Sequence, residues 1–190
     1  FAADAGVAVL APDSRGATWD VIRNAYGLDV RFIERALQTV FATLPVDPAK
    51  LTIGGFSDGA SYAISLGLIN GDMFRRIIAF SPGFYVGGEA RGRPDIFVSH
   101  GTADQILPID RCSRIIVPAL KKQGYTVTFR QFDGGHEIPP HIAREGMRAA
   151  LVTGYTIPNG REAPHGPRAL VEAQLDPHTT GLRATPGVAG

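Results

Sequence analysis

The chain has 190 residues, of which 44% are hydrophobic, and a formal net charge of +1. This length and composition predict one globular domain with a substantial core. Lysines and arginines are scattered along the sequence, so we expect no nucleic-acid partner. The single cysteine, Cys112, excludes an intramolecular disulfide. No apolar stretch approaches the roughly 18 residues that a membrane span requires.

The first elements predicted along the chain are the end of a helix over residues 1–5 and a strand over residues 6–12. The second segment is a near-continuous apolar run, which is typical of a parallel strand covered on both faces. A loop over residues 13–27 follows and contains the only tryptophan, Trp19. Two roles stay open for Trp19, which either lines a substrate pocket or is a partly buried structural residue.

A helix is predicted next, with Asp29 as its N-cap and Pro45 as its stop. Its apolar residues recur at intervals of three and four and should form its inward face; they are Val30, Ile33, Leu37, Val40, Phe41 and Leu44.

The segment around Ser57 then combines an apolar strand at residues 51–53, the pentapeptide Gly-Phe-Ser-Asp-Gly and a helix with inward-facing Ala60, Ile64, Leu68 and Ile69. The pentapeptide fits G-x-S-x-G, the turn between a strand and a helix that presents a nucleophilic serine. Such a strained turn brings strand and helix so close that we expect no room for side chains at Gly55 and Gly59.

Later in the chain, strands are predicted at residues 76–80, 96–98 and 127–132. Helices are predicted at residues 110–123, bent by Pro118, and after the pair Pro139 and Pro140. The inward-facing residues of the last helix should be Ile142, Met147, Ala150 and Leu151. Strands that alternate with helices predict an α/β domain whose sheet is mostly parallel and flanked by helices.

The domain boundary is predicted at residue 152. Residues 153–190 contain 5 prolines and 6 glycines, a composition typical of segments without periodic structure. We therefore expect an α/β domain over residues 1–152 and a flexible Pro/Gly-rich tail over residues 153–190.

A serine nucleophile requires a base, and the base requires an acid that orients it. Asp104 follows the predicted strand at 96–98 and is the acid candidate; Asp110 is the competing acid, although it is better placed to cap the next helix. His136 follows the last predicted strand between glycines and Glu137, and is the base candidate. A metal site made from His100, Asp104, His136 and His141 matches no known ligand spacing, so no metal is predicted.

The segments GGFSDGAS, SHGTADQILPID and FDGGHEIPP together resemble the phospholipase/carboxylesterase family of the α/β-hydrolases, which also includes acyl-protein thioesterases. The resemblance extends from about residue 6 to residue 151. It implies cofactor-free hydrolysis of a small-molecule ester or thioester, with Ser57 as nucleophile, Asp104 as acid and His136 as base. Family members commonly have Gln after the serine. Here Asp58 follows it, and its carboxylate would disfavour a developing oxyanion unless it points away.

The family pattern also implies two oxyanion donors. The first is the backbone N–H of Asp58, and the second comes from a His-Gly-type loop upstream of residue 1. In the family's sheet, a strand missing from this chain would lie between the strand at 6–12 and the strand before Ser57. We therefore expect that the chain is a fragment lacking N-terminal strands. No secretory signal is visible in the sequence, which begins at Phe1, and the expected location is cytoplasmic.

The sequence thus predicts a serine carboxylesterase. Ile106, Leu107 and Trp19 are the candidates for an acyl-binding surface. Two alternatives stay open: a thioesterase or lysophospholipase that uses the same three residues, and a non-catalytic hydrolase-like fragment or ligand-binding domain. The oligomeric state is not predicted.

Overall fold

A computed structural model describes residues 7–23 and 26–151. The predicted helix at 1–5 and the predicted tail at 153–190 lie outside these ranges. The described part contains four strands, β1 (Thr52–Phe56), β2 (Arg76–Phe80), β3 (Asp95–Gly101) and β4 (Val127–Phe132). It also contains four α-helices, α1 (Leu28–Thr43), α2 (Asp58–Ile69), α3 (Ser113–Lys122) and α4 (Pro140–Leu151).

The four strands form one parallel sheet in the order β1-β2-β3-β4. The predicted α/β architecture is therefore confirmed. Helices α2 and α3 cover one face, where Ile64, Ile77, Val98 and Leu120 belong to one buried cluster. Helix α4 covers the other face, where Gly146 lies against Phe80 and Ile78. Because the strands are parallel, their carboxyl ends and the loops that follow them share one edge.

Helix α1 packs on the outer side of α2. Val30 and Ile33 of α1 join Tyr62 and Leu66 of α2 in a second buried cluster. The predicted stop is confirmed, since α1 ends at Thr43 and the residue before Pro45 is extended. Leu44, predicted to face inward, lies outside the helix and is exposed.

The predicted strand at residues 6–12 is wrong. Residues 7–12 are in neither helix nor strand, and the side chains of Val9 and Leu10 are 68% and 41% exposed. In the described residues β1 pairs only with β2, so it is an edge of the sheet. The segment therefore has no neighbouring strand to satisfy its backbone groups. For the same reason β1 itself is only half-buried, although its composition predicts a buried strand.

Two predicted N-caps are also wrong. Gly27 occupies the cap position of α1, and the carboxylate of Asp29 is buried where it accepts the backbone N–H groups of Arg15 and Asp20. Asp110 lies in a short 3-10 turn (Ile109–Arg111) before α3 and bonds Arg114. Each carboxylate therefore accepts hydrogen bonds from other groups and not from the first backbone N–H groups of the helix that it was predicted to cap.

Candidate active site

Ser57 lies in the turn between β1 and α2, with the backbone angles φ 58° and ψ −119°. Positive φ is costly for a residue with a Cβ. The turn is held in place because the Ser57 N–H donates to the carbonyl of Phe80, and the N–H groups of Ala60 and Ser61 donate to the Ser57 carbonyl. The strained turn predicted from G-x-S-x-G is therefore present.

The two glycines of the pentapeptide differ in their surroundings. A Cβ added to Gly55 would lie 2.3 Å from the carbonyl oxygen of Gly59, so the predicted lack of room is confirmed there. A Cβ added to Gly59 would find its nearest neighbour, Trp19 Nε1, at 3.6 Å. The predicted lack of room at Gly59 is therefore wrong, because it is the backbone of Gly59, not its missing side chain, that approaches the strand.

The structure brings Ser57, His136 and Asp104 together at the carboxyl edge of the sheet. His136 Nε2 lies 2.9 Å from Ser57 Oγ, and His136 Nδ1 lies 2.7 Å from Asp104 Oδ2. Both separations are hydrogen bonds. A serine hydroxyl that donates to a histidine, which in turn donates to a buried carboxylate, is the arrangement that activates a nucleophile.

The loop that carries His136 is joined to the loop that carries Asp104. After β3, the N–H groups of Thr102 and Ala103 donate to the carbonyls of Phe132, the last residue of β4, and Gly134, which follows it. A Cβ on Gly101 would lie 2.2 Å from the carbonyl oxygen of Gly135. The distance between acid and base is therefore set by backbone contacts as well as by their side chains.

Asp104 is deeply buried and its carboxylate accepts several hydrogen bonds. Oδ1 accepts the backbone N–H groups of Ile106 and Leu107 at 2.9 and 2.8 Å. Burial alone would raise the pKa of Asp104, but the hydrogen bonds from His136, Leu107 and Ile106 together lower it below its ordinary value. The carboxylate is thus kept ionised, as a group that stabilises a protonated imidazole must be. Asp110, the competing acid, bonds Arg114 instead.

Two contacts of these three residues were not predicted from the sequence. The ring of Phe56 lies 4.7 Å from the His136 ring, at an angle of 35°. His100 Nε2 lies 3.2 Å from Asp104 Oδ2. A histidine near the end of a buried strand, four residues before the acid candidate, is the signal that would have indicated this contact.

Asp58 turns its carboxylate toward the loop before α1. Thr18 Oγ1 donates to Asp58 Oδ2 at 2.6 Å, and the Gly59 N–H donates to Oδ1. The backbone N–H of Asp58 is in the first turn of α2, where it has no partner within the helix. Among the described residues, no other group accepts that N–H, which leaves it available to a ligand.

The three residues predicted to bind substrate differ in packing and in solvent exposure. Trp19 stacks on Tyr62 of α2 with ring centroids 4.5 Å apart, so its ring face is used structurally. Ile106 is 69% exposed, directly after the loop that holds Asp104. Leu107 is half-buried beside Gly83. Among residues 7–23 and 26–151, no group of three His, Cys, Asp or Glu side chains could hold a metal ion. No helix in these ranges is both long and apolar enough to cross a bilayer.

Comparison with known proteins is consistent with this geometry. The family profile described as phospholipase/carboxylesterase matches residues 22–149, which is more than half of the chain. No curated protein sequence matches the chain significantly.

Solved structures with the same fold include the following three. Esterase PE8 is 24% identical, with a TM-score of 0.55 over 63% of this chain and 60% of its own. Arabidopsis thaliana SOBER1 is 19% identical, with a TM-score of 0.53 over 64% and 61%. The Bacillus cereus carboxylesterase is 18% identical, with a TM-score of 0.52 over 64% and 60%. The chain therefore spans about three fifths of each of these structures, and at such identities the similarity establishes the fold alone.

Proposed function

Because the chain belongs to the phospholipase/carboxylesterase family, we propose that it is a serine hydrolase that cleaves carboxylic esters through an acyl-enzyme on Ser57. The observation that carries this proposal is the pair of hydrogen bonds that joins Ser57 to His136 and His136 to Asp104. The left-handed backbone of Ser57 adds support, since such strain persists where function requires it.

In the first half of the reaction, Ser57 Oγ attacks the ester carbonyl and its proton passes to His136 Nε2. Asp104 accepts the Nδ1–H of His136 and stabilises the imidazolium. The oxyanion of the tetrahedral intermediate is bound by the backbone N–H of Asp58, at the N-terminus of α2, where the helix dipole favours negative charge. His136 then donates its proton to the leaving alkoxide, and the acyl group stays on Ser57.

In the second half, His136 removes a proton from a water molecule that attacks the acyl-enzyme. The new tetrahedral intermediate collapses as His136 returns the proton to Ser57 Oγ, and the carboxylic acid is released. Each proton that His136 takes up is passed on within the reaction, so these steps require no cofactor.

The hydrogen bond from Thr18 supports a role for Asp58 as oxyanion donor. A carboxylate held by Thr18 and by its own helix terminus is kept away from the developing negative charge. We place the acyl group of the substrate against exposed Ile106 and its neighbour Leu107, which follow Asp104. Trp19, which packs beside the N-terminal part of α2, is the third predicted contact.

The experiment that tests the function is covalent labelling of the folded chain by a fluorophosphonate, located by mass spectrometry. Turnover of p-nitrophenyl acetate and butyrate is measured beside it. Ser57→Ala should abolish both labelling and turnover. Ser14→Ala is the matched control, because Ser14 is a serine whose hydroxyl bonds only the nearby Gly16 carbonyl, and it should leave both unchanged.

An acyl thioester series with the same acyl chains separates the two hydrolase alternatives, since ester and thioester hydrolysis use the same three residues. A higher kcat/KM for thioesters would assign a thioesterase. Folded wild-type chain in which Ser57 stays unlabelled would overturn the proposed function and leave a non-catalytic hydrolase-like domain.

A further inference from the structure

His100 is a fully buried polar residue in the middle of the sheet. It lies on β3, where its backbone is in register with Gln131 of β4, and its side chain is 0% exposed. The preceding residues Ile96, Phe97 and Val98 are apolar. A buried imidazole is costly unless both ring nitrogens have partners, so its contacts indicate what it does.

The tautomer of His100 follows from those contacts. Nε2 lies 2.7 Å from the carbonyl oxygen of Leu107. A carbonyl oxygen only accepts, so Nε2 carries the hydrogen. Burial lowers the pKa of His100, which keeps the ring neutral and leaves a lone pair on Nδ1. Ser113 Oγ, buried at the start of α3, lies 2.7 Å from Nδ1 and donates to it.

His100 Nε2 also lies close to the acid of the proposed active site. Asp104 Oδ2 lies 3.2 Å from His100 Nε2 and 2.7 Å from His136 Nδ1. The other oxygen, Oδ1, accepts the N–H of Leu107, whose carbonyl is held by His100. The ring therefore contacts both the carboxylate and the residue that ends its loop, and it ties them to a strand fixed on both sides by β2 and β4.

We propose that His100 is a positioning residue, oriented by Ser113, that fixes the Asp104 carboxylate relative to His136. The proposal rests on the proposed function, in which Asp104 orients the base. His100 does not touch the reacting atoms and acts through Asp104. A histidine needed only to satisfy the Leu107 carbonyl would not have to lie within reach of Oδ2, the oxygen that bonds His136.

The test compares four variants. His100→Leu keeps most of the volume and removes both polar atoms, whereas His100→Gln places an amide donor near the position of Nε2. Ser113→Ala removes the donor to Nδ1. Ser65→Ala is the matched control, because Ser65 is a buried helical serine with hydrogen bonds to Ser61 and Val86 and no contact with the three site residues.

The readouts are kcat and KM for p-nitrophenyl butyrate, and the downfield NMR resonance of the proton between His136 Nδ1 and Asp104. For His100→Leu we expect kcat to fall about 10²-fold with KM nearly unchanged, as expected for a reacting group misplaced by about 1 Å. The resonance should shift or broaden. His100→Gln should recover most of kcat and the resonance. Ser113→Ala should cause a smaller loss in the same direction, and Ser65→Ala should change neither readout.

The test distinguishes failure of the proposed function from failure of the inference about His100. If wild-type chain is neither labelled nor active, the proposed function fails, and the NMR resonance still decides whether His100 positions Asp104. If wild type is active and His100→Leu keeps both kcat and the resonance, His100 is only a structural residue and the inference is overturned. Should His100→Leu fail to fold, Ser113→Ala decides by the same readouts, and an unchanged resonance in that variant refutes the inference.

Discussion

Replacing each glycine of the pentapeptide by alanine should have opposite consequences. The motif G-x-S-x-G treats the two positions alike, but in the structure only Gly55 lacks room for a Cβ. In Gly55→Ala the distance from the new Cβ to the Gly59 carbonyl oxygen must increase from 2.3 Å to at least 3.0 Å. The atom in the way is backbone, so no side-chain rotation relieves the contact, and the first turn of α2 must move away from β1.

The size of the effect follows from that displacement. Overpacking of this kind costs about 1–3 kcal/mol of unfolding free energy. The shift also moves Asp58 relative to Ser57, and a misplacement of about 1 Å lowers rates about 10²-fold. Gly59→Ala meets its nearest atom at 3.6 Å and lies in a helix, where alanine is favoured over glycine by about 0.5–1 kcal/mol.

Urea denaturation gives the unfolding free energies, and the rate of fluorophosphonate labelling reports on the turn. We expect Gly55→Ala to be destabilised and slow to label, and Gly59→Ala to be at least as stable as wild type and to label normally. Equal losses in the two variants would refute the argument, because they would mean that the conformation of Gly59, not the close approach at Gly55, decides the geometry of the turn.

Three further predictions concern the surroundings of the site. Gly101→Ala should slow labelling about 10²-fold, because its Cβ would meet the backbone between the acid and base loops; Gly135→Ala, with nothing within 4 Å, should not. Thr18→Val should lower kcat by freeing the Asp58 carboxylate, Thr18→Ser should not, and adding Asp58→Asn to Thr18→Val should restore the rate. Because the pKa of His100 is lowered from its ordinary 6.5 in the folded chain, the unfolded chain binds the extra proton. The contribution of the neutral His100 ring to stability is therefore complete above about pH 6.5 and is lost as the pH falls below it, with a slope of at most about 1.4 kcal/mol per pH unit. Unfolding free energies from urea titrations should decline less steeply with falling pH in His100→Gln than in wild type. An equal slope would count against a neutral buried ring.

The bounds of a strand were predicted well where turn residues follow it, as Pro82 and Gly83 follow β2 and Asp133 and Gly134 follow β4. Residues 76–80 and 127–132 were predicted with the bounds that the structure gives to β2 and β4. The apolar run at 6–12 has a similar composition but no strand beside it in the described residues. Hydropathy indicates which segments can be buried, whereas a strand forms only where another strand satisfies its backbone. Composition alone therefore could not separate these cases.

The positions of Ser57, Asp104 and His136 were easier to predict than the contacts around them. All three follow strands of a parallel sheet, so the topology alone brings them to one edge. Their catalytic roles stay a prediction until Ser57 is labelled. The partners of the Asp29 and Asp110 carboxylates were harder to predict. Asp29 accepts from Arg15 and Asp20, in a separate loop, and such a choice depends on how neighbouring segments pack.

Two buried polar residues beneath the site give a physical argument about the function of this domain. His100 and Ser113 are buried with no solvent exposure, in a core where apolar residues of similar volume would contribute at least as much stability. Their hydrogen bonds satisfy each other and the Leu107 carbonyl, and His100 Nε2 lies 3.2 Å from the Asp104 oxygen that bonds His136. Ligand binding alone gives no physical reason for this arrangement around a buried carboxylate. The buried pair therefore supports the proposed function over the non-catalytic alternative.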